Sequence, residues 1–299
     1  MRSSSNPVFS SLSESSARGA TQFGGAGRAA FQQGQYGQQD FGQHGFGAPQ
    51  GYEQGYGAPQ GYASQAGAGA DSRPMTIDDI VTKTALSLGL LSIVGLVAFY
   101  LASTNPGLTL PLLLVGGIGG FVVVLLATFG KKMDSAPITL TYSALEGLFV
   151  GAATFLFTAG LDAGGVLGAV GSAILGTIGV FVGMLFVYKT GAIRVTPKFT
   201  RFITAGIVGV LFAALGSIVL SFFTGGSNPL YDGGPLAIGF CLLCIGLAAF
   251  SFLLDFDNAD RLVRAGAPAT MAWGVALGLV VTLVWLYIEI LRLMSYFRD

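Results

Sequence analysis

Charge is what this chain has least of. Of its 299 residues only 10% are charged, where a soluble globular domain carries about a quarter. A chain this poor in charge cannot cover a water-facing surface. Its 15 basic and 15 acidic residues cancel, so bulk charge points to no nucleic acid and no acidic substrate. Histidine is reduced to one residue, His44, which nearly excludes His-based metal sites and Ser-His-Asp catalysis in the apolar region. The two cysteines, Cys241 and Cys244, are too few for a disulfide framework and sit in an apolar run, where they read as small packing residues. The start, MRSSSNPVFSSLSESSARG, lacks the apolar core of a secretory signal, so the N-terminus is expected to stay on the side where it is made. No GxxxxGK[ST], HExxH or GxSxG with triad partners occurs. The expectation is a protein that is not an enzyme and carries no cofactor.

What is abundant is apolar sequence, 52% of the chain, with a mean hydropathy of +0.68. It is unevenly spread. Residues 1–75 are rich in Gly, Gln and Ser, with aromatics spaced singly from Phe23 to Tyr62, and GAPQGY occurs twice, at 47–52 and 57–62. Such a segment buries too little to offset its ordering entropy and is expected to be a disordered cytoplasmic tail. It is either a solvated arm or a weakly self-associating, partner-binding one.

The remainder, 76–299, is expected to be an all-α integral membrane domain. A span takes about 20 apolar residues. Seven stretches qualify, near 82–102, 109–129, 139–160, 165–188, 201–223, 235–254 and 272–291. None alternates as a barrel strand does. Thirteen of the 15 Lys and Arg residues fall in the tail or in the loops after the second, fourth and sixth spans. By the positive-inside rule the N-terminus is then cytoplasmic and the C-terminus outside, in the cell membrane. Arg292 and Arg298 are the two outliers. Glycine pairs at helix-packing spacing (Gly116 and Gly120, Gly147 and Gly151, Gly179 and Gly183, Gly274 and Gly278) are expected to let helices approach closely.

Acidic residues inside apolar runs are the candidates for function, because an ionised group at mid-bilayer costs at least about 3 kcal/mol. Glu146 lies about two turns inside the third span, as an ion-path residue or a hydrogen-bonded packing residue. Glu289, three residues before Arg292, is either functional or half of an interfacial ion pair. Asp255, with Asp257 after it, is placed at the cytoplasmic end of the sixth span in LLDFDNADRLV. A calcium loop starting at Asp255 fails, with Ala259 at its fifth position, Asp260 at its sixth and no Glu at its twelfth.

SNPVF at Ser5–Phe9, MTIDDIVTKTA, YSALEGLFVGA, LLDFDNADRLV and VTLVWLYIEILRL together resemble the Bax inhibitor-1/YccA-like family, in its actinobacterial-type branch with a Gly/Gln-rich tail. The resemblance covers roughly 75–299 and the start motif. It implies seven helices, the last central and wrapped by the other six. It also implies a pH-sensitive calcium leak channel with a latch of two aspartates on the sixth and seventh helices. Asp255 matches the first aspartate, while Thr282 stands where the second is expected. The latch is therefore either Asp255 with a displaced Glu289, two turns along the same face, or absent. Two carboxylates held close cannot both ionise cheaply, so protonation can bias such a helix pair. The leading reading is a proton-gated cation leak. The alternatives are a non-conducting regulator that binds a membrane protease or another membrane protein, and a proton-coupled transporter. No inverted repeat supports the last.

Overall fold

The computed structural model describes residues 73–226 and 228–297. The expectations for the tail, apart from its last three residues, lie outside the described residues, as do His44 and the start motif. Among the described residues there is no strand. Seven long helices follow one another: α1 (Ile77–Thr104), α2 (Thr109–Phe129), α3 (Ala136–Thr158), α4 (Ala163–Thr190), α5 (Pro197–Phe223), α6 (Pro235–Arg264) and α7 (Ala272–Tyr296). Short 3-10 turns at Pro106–Leu108 and Ala269–Met271 precede α2 and α7. Each helix coincides with one expected span and is long and apolar enough to cross a bilayer. The chain is a multi-pass membrane protein.

The helices outrun the hydrocarbon stretches that announce them. α6 has 30 residues, about 45 Å at the helical rise, against a core about 30 Å thick. Past Leu254 it continues to Arg264, where side chains one turn apart are tied in pairs: Asp257 to Arg261 at 2.7 Å and Asp260 to Arg264 at 2.9 Å. Helix starts carry their own stops for the chain. Asp162 caps α4 by accepting from the Gly165 amide at 2.9 Å, and Thr196 caps α5 ahead of Pro197.

α7 is the central helix, as expected. Over half of its span, 56%, is buried inside the protein, against 11% for α4 and for α5. Its main packing is on α1, α3, α4 and α6, whereas α2 packs chiefly on α3, and α5 on α6. The wrapping by all six helices is thus reduced to four main neighbours with two outer helices. Phe181 of α4 meets Phe252 and Phe256 of α6 edge-on, at 5.3 and 5.4 Å between ring centres, in the core beside α7.

Three of the four glycine pairs sit at close approaches. A Cβ on Gly151 would overlap the Gly95 carbonyl and stand 2.8 Å from Ala98 of α1. One on Gly116 would be 2.5 Å from the Phe149 amide of α3. One on Gly274 would be 2.6 Å from the Met133 carbonyl. Gly179 and Gly183 depart from the expectation: a Cβ on either meets nothing within 4 Å. They lie on α4, which packs over only a small part of its surface.

Residues 73–75, expected in the tail, are bound to the helical unit. The Met75 amide donates to the Ala267 carbonyl at 2.7 Å, and the Ala269 amide donates to the Arg73 carbonyl at 2.9 Å. Met75 is only 2% exposed, in a cluster with Ile80, Phe256 and Val275. Arg73 in turn pairs with Asp79, whose carboxylate accepts from the Thr76 amide at 2.9 Å and completes the N-terminal cap of α1. Removing residues 1–72 is expected to leave thermal stability in detergent unchanged. Removing 1–76 takes away the buried methionine and two backbone bonds, together worth about 2–4 kcal/mol, and should lower the melting temperature by several degrees. Equal melting of the two truncations would show that the strap contributes nothing.

Candidate functional site

The structure brings three of the four acidic candidates to two places against α7. The first is the contact of α6 with α7. Asp255 lies nine residues before the end of α6, about 13 Å inside it, not at the helix terminus expected from hydropathy. Its Oδ2 accepts a hydrogen bond from the Thr282 hydroxyl at 2.7 Å. Thr282 is 6% exposed, and Gly278 one turn before it leaves room for the other oxygen of Asp255, 3.7 Å from where a Cβ would stand. The two latch positions implied by the family resemblance therefore do meet, as carboxylate and hydroxyl rather than as two carboxylates.

Glu289 takes no part in that contact. Seven residues along α7 is about 10 Å of rise, and the side chain there is engaged by Arg292 instead. Its own carbonyl accepts from the Cys241 thiol at 3.1 Å, fourteen residues from Asp255 on α6. The displaced latch is not formed: sharing a face of α7 is not sharing a level. Asp257 is likewise elsewhere. Two residues turn a helix by about 200°, and Asp257 pairs with Arg261 on the partly exposed flank of α6.

The second place is a cavity of about 440 Å³ between α2, α3 and α7. Glu146 and Tyr142 line it from α3, Glu289, Arg292 and Trp285 from α7, and Tyr231 from the α5–α6 loop. A second cavity of about 530 Å³ shares Leu156, Phe157, Tyr231 and Arg292 with it and adds Asp232, Ser295 and Tyr296. The two adjoin at Arg292. Together they lead from the end of the bundle where α3 and α7 finish inward to Glu146. Glu146 is ten residues into α3 rather than two turns, because α3 begins at Ala136. It rests where Gly120 of α2 leaves space, with Oε2 only 2.8 Å from where a Cβ would be, and Tyr142 one turn earlier lines the same cavity. Apolar walls with a few polar groups are the general make-up of small-molecule pockets.

Glu289 and Arg292 form the expected i,i+3 pair, but inside the protein rather than at an interface. Their side chains are 8% and 5% exposed. The Arg292 guanidinium stacks 4.9 Å over the Tyr231 ring and 5.9 Å from that of Phe240. Burial raises the Tyr231 phenol above its ordinary range, so the ring stays neutral under the cation.

Sequence reasoning missed Arg292 as a site residue, since it read as a terminal outlier of the charge count. It also missed Tyr231 and Asp232, which sit in a connecting loop. The only signal for Arg292 was its spacing from Glu289.

No curated protein matches the chain. A family model described as Bax inhibitor 1 like matches residues 6–299. With nearly its whole length matched, the chain belongs to the Bax inhibitor 1 like family of membrane proteins.

Proposed function

We propose that this protein is a proton-gated cation leak pathway, with calcium the favoured ion, in the cell membrane. The observation that carries the reading is the placement of two carboxylates against the central helix, Glu146 from α3 and Asp255 from α6. Glu146 lines the cavity that α3 forms with α7, and Asp255 is tied to Thr282 on α7. A carboxylate in a low-dielectric cavity concentrates cations, and hard divalent ions prefer carboxylate oxygen. Thr282 adjoins Val281, which lines the cavity. A change in the Asp255 contact is therefore felt at the cavity wall. In this reading the acidic latch is a carboxylate and a hydroxyl, Asp257 and Glu289 are not members of it, and no enzymatic step is involved. The N-terminus is cytoplasmic and the C-terminus outside, so a reporter fused after Asp299 should work only outside the cytoplasm.

Purified protein in liposomes should pass calcium, read with an entrapped indicator. Glu146→Gln should lower that flux about tenfold at every pH, the size of one lost attractive charge at close range. Absence of flux from wild-type protein between about pH 5 and 8 would remove the channel reading. One observation favours a non-conducting regulator in that event. The root of the tail is strapped to the Ala267–Ala269 loop joining α6 to α7, so a membrane protease or other membrane protein holding the tail would pull on that corner.

A further inference from the structure

We infer that Glu289 is the charge-balancing residue of the cavity, holding Arg292 neutralised so that Glu146 is the net charge a passing cation meets. The inference rests on the cation-pathway reading and names the determinant of its selectivity.

Arg292 lines both cavities, together with Tyr231, Leu156 and Phe157. An uncompensated guanidinium there would repel cations. It would also be costly to bury and would turn to whatever carboxylate it could reach; Glu146 lines the same cavity. Either result would remove the acidic site. Three features prevent it. Glu289 is on the same helix, one turn earlier, so the pair needs no tertiary rearrangement to persist. The Cys241 thiol fixes the Glu289 carbonyl from α6. The rings of Tyr231 and Phe240 hold the guanidinium by stacking against it. The charges of Glu289 and Arg292 cancel, and Glu146 is left.

The balance predicts opposite signs for the two halves of one ion pair. Glu289→Gln should reduce calcium flux into liposomes on the order of tenfold, the effect of one unpaired charge across the cavity at an effective dielectric near 20, and should raise chloride permeability relative to calcium. Arg292→Gln should raise calcium flux above the wild-type level, because Glu289 then adds a second unpaired acidic charge to the cavity. The double variant Glu289→Gln with Arg292→Gln should return flux to within about threefold of wild type. A purely structural pair gives another pattern: both single variants lose flux alike and the ion preference does not change. That pattern would overturn the inference while leaving the channel intact. If Glu289→Gln does not fold, the comparison of Arg292→Gln with the double variant and wild type still decides, because a fall in Arg292→Gln alone contradicts the balance. Absence of flux in wild type would instead remove the cation-pathway reading, and this inference with it.

Discussion

Asp255→Asn is expected to flatten the pH dependence of calcium flux without unfolding the protein. The substitution keeps the shape of the side chain and an oxygen that can accept from the Thr282 hydroxyl. What it removes is the charge. A hydrogen bond to an ionised carboxylate is about twice as strong as one between neutral groups. The contact of α6 with α7 is accordingly tightest when Asp255 is ionised and loosens when it takes a proton. Wild-type flux should rise as pH falls, by up to about tenfold per pH unit for a single proton. Asp255→Asn should hold flux near the acid level, varying less than about twofold. Stopped-flow indicator traces over a pH series read this directly. A variant that keeps the wild-type slope would place the pH response elsewhere. Because the partner is a hydroxyl, one proton governs the wild-type contact. Thr282→Asp should convert it into two carboxylates sharing a proton, and the profile should split into two coupled steps.

Gly151→Leu is expected to abolish the folded state, while Gly179→Leu is nearly silent. Both glycines belong to pairs with the same four-residue spacing in apolar helices. At Gly151 the backbone of α1 occupies the space a side chain needs: Ala98 and the Phe99 amide would each lie 2.8 Å from the first added carbon. Backbone cannot move aside as a flexible side chain does. The cost is therefore at the upper end of overpacking, about 3 kcal/mol or more, concentrated at the tight contact of α1 with α3. Gly179 meets nothing within 4 Å, and its substitution should change stability by about 0.5 kcal/mol or less. Thermal unfolding in detergent, followed by loss of the monodisperse chromatographic peak, separates the two. Similar melting of the two variants would mean that α1 and α3 can part without loss of the fold.

The contrast shows where sequence reasoning stops. Spacing identified both pairs as able to pack, but which helix faces which glycine depends on the rotation of α3 and α4 about their own axes. That rotation is decided by all their neighbours together. The acidic residues divide in the same way. Glu146, Asp255, Asp257 and Glu289 were recognisable because charge in an apolar run is costly. The pairing of Glu289 with Arg292 was recognisable because i and i+3 meet on any helix. That Glu289 lies a full station away from Asp255, and shares its cavity with Glu146 from another helix, follows from how α3, α6 and α7 are aligned in depth. Hydropathy does not encode that alignment.

Helix number, helix class and membrane character are properties of single segments. They depend only on the length of each apolar run measured against the thickness of a bilayer, and the chain alone determined them. The ends of α6 and the packing of Arg73–Met75 escaped the same measure. A helix stops where its hydrogen bonds and ion pairs stop rather than where lipid does, and Arg73–Met75 is ordered by a loop some 190 residues away in sequence. Contacts between segments decided everything at the site: the meeting of Asp255 with Thr282, the cavity under Glu146, and the burial of Arg292 against Tyr231. Each joins residues from different helices or loops, and only packing in three dimensions brings them within a few ångströms.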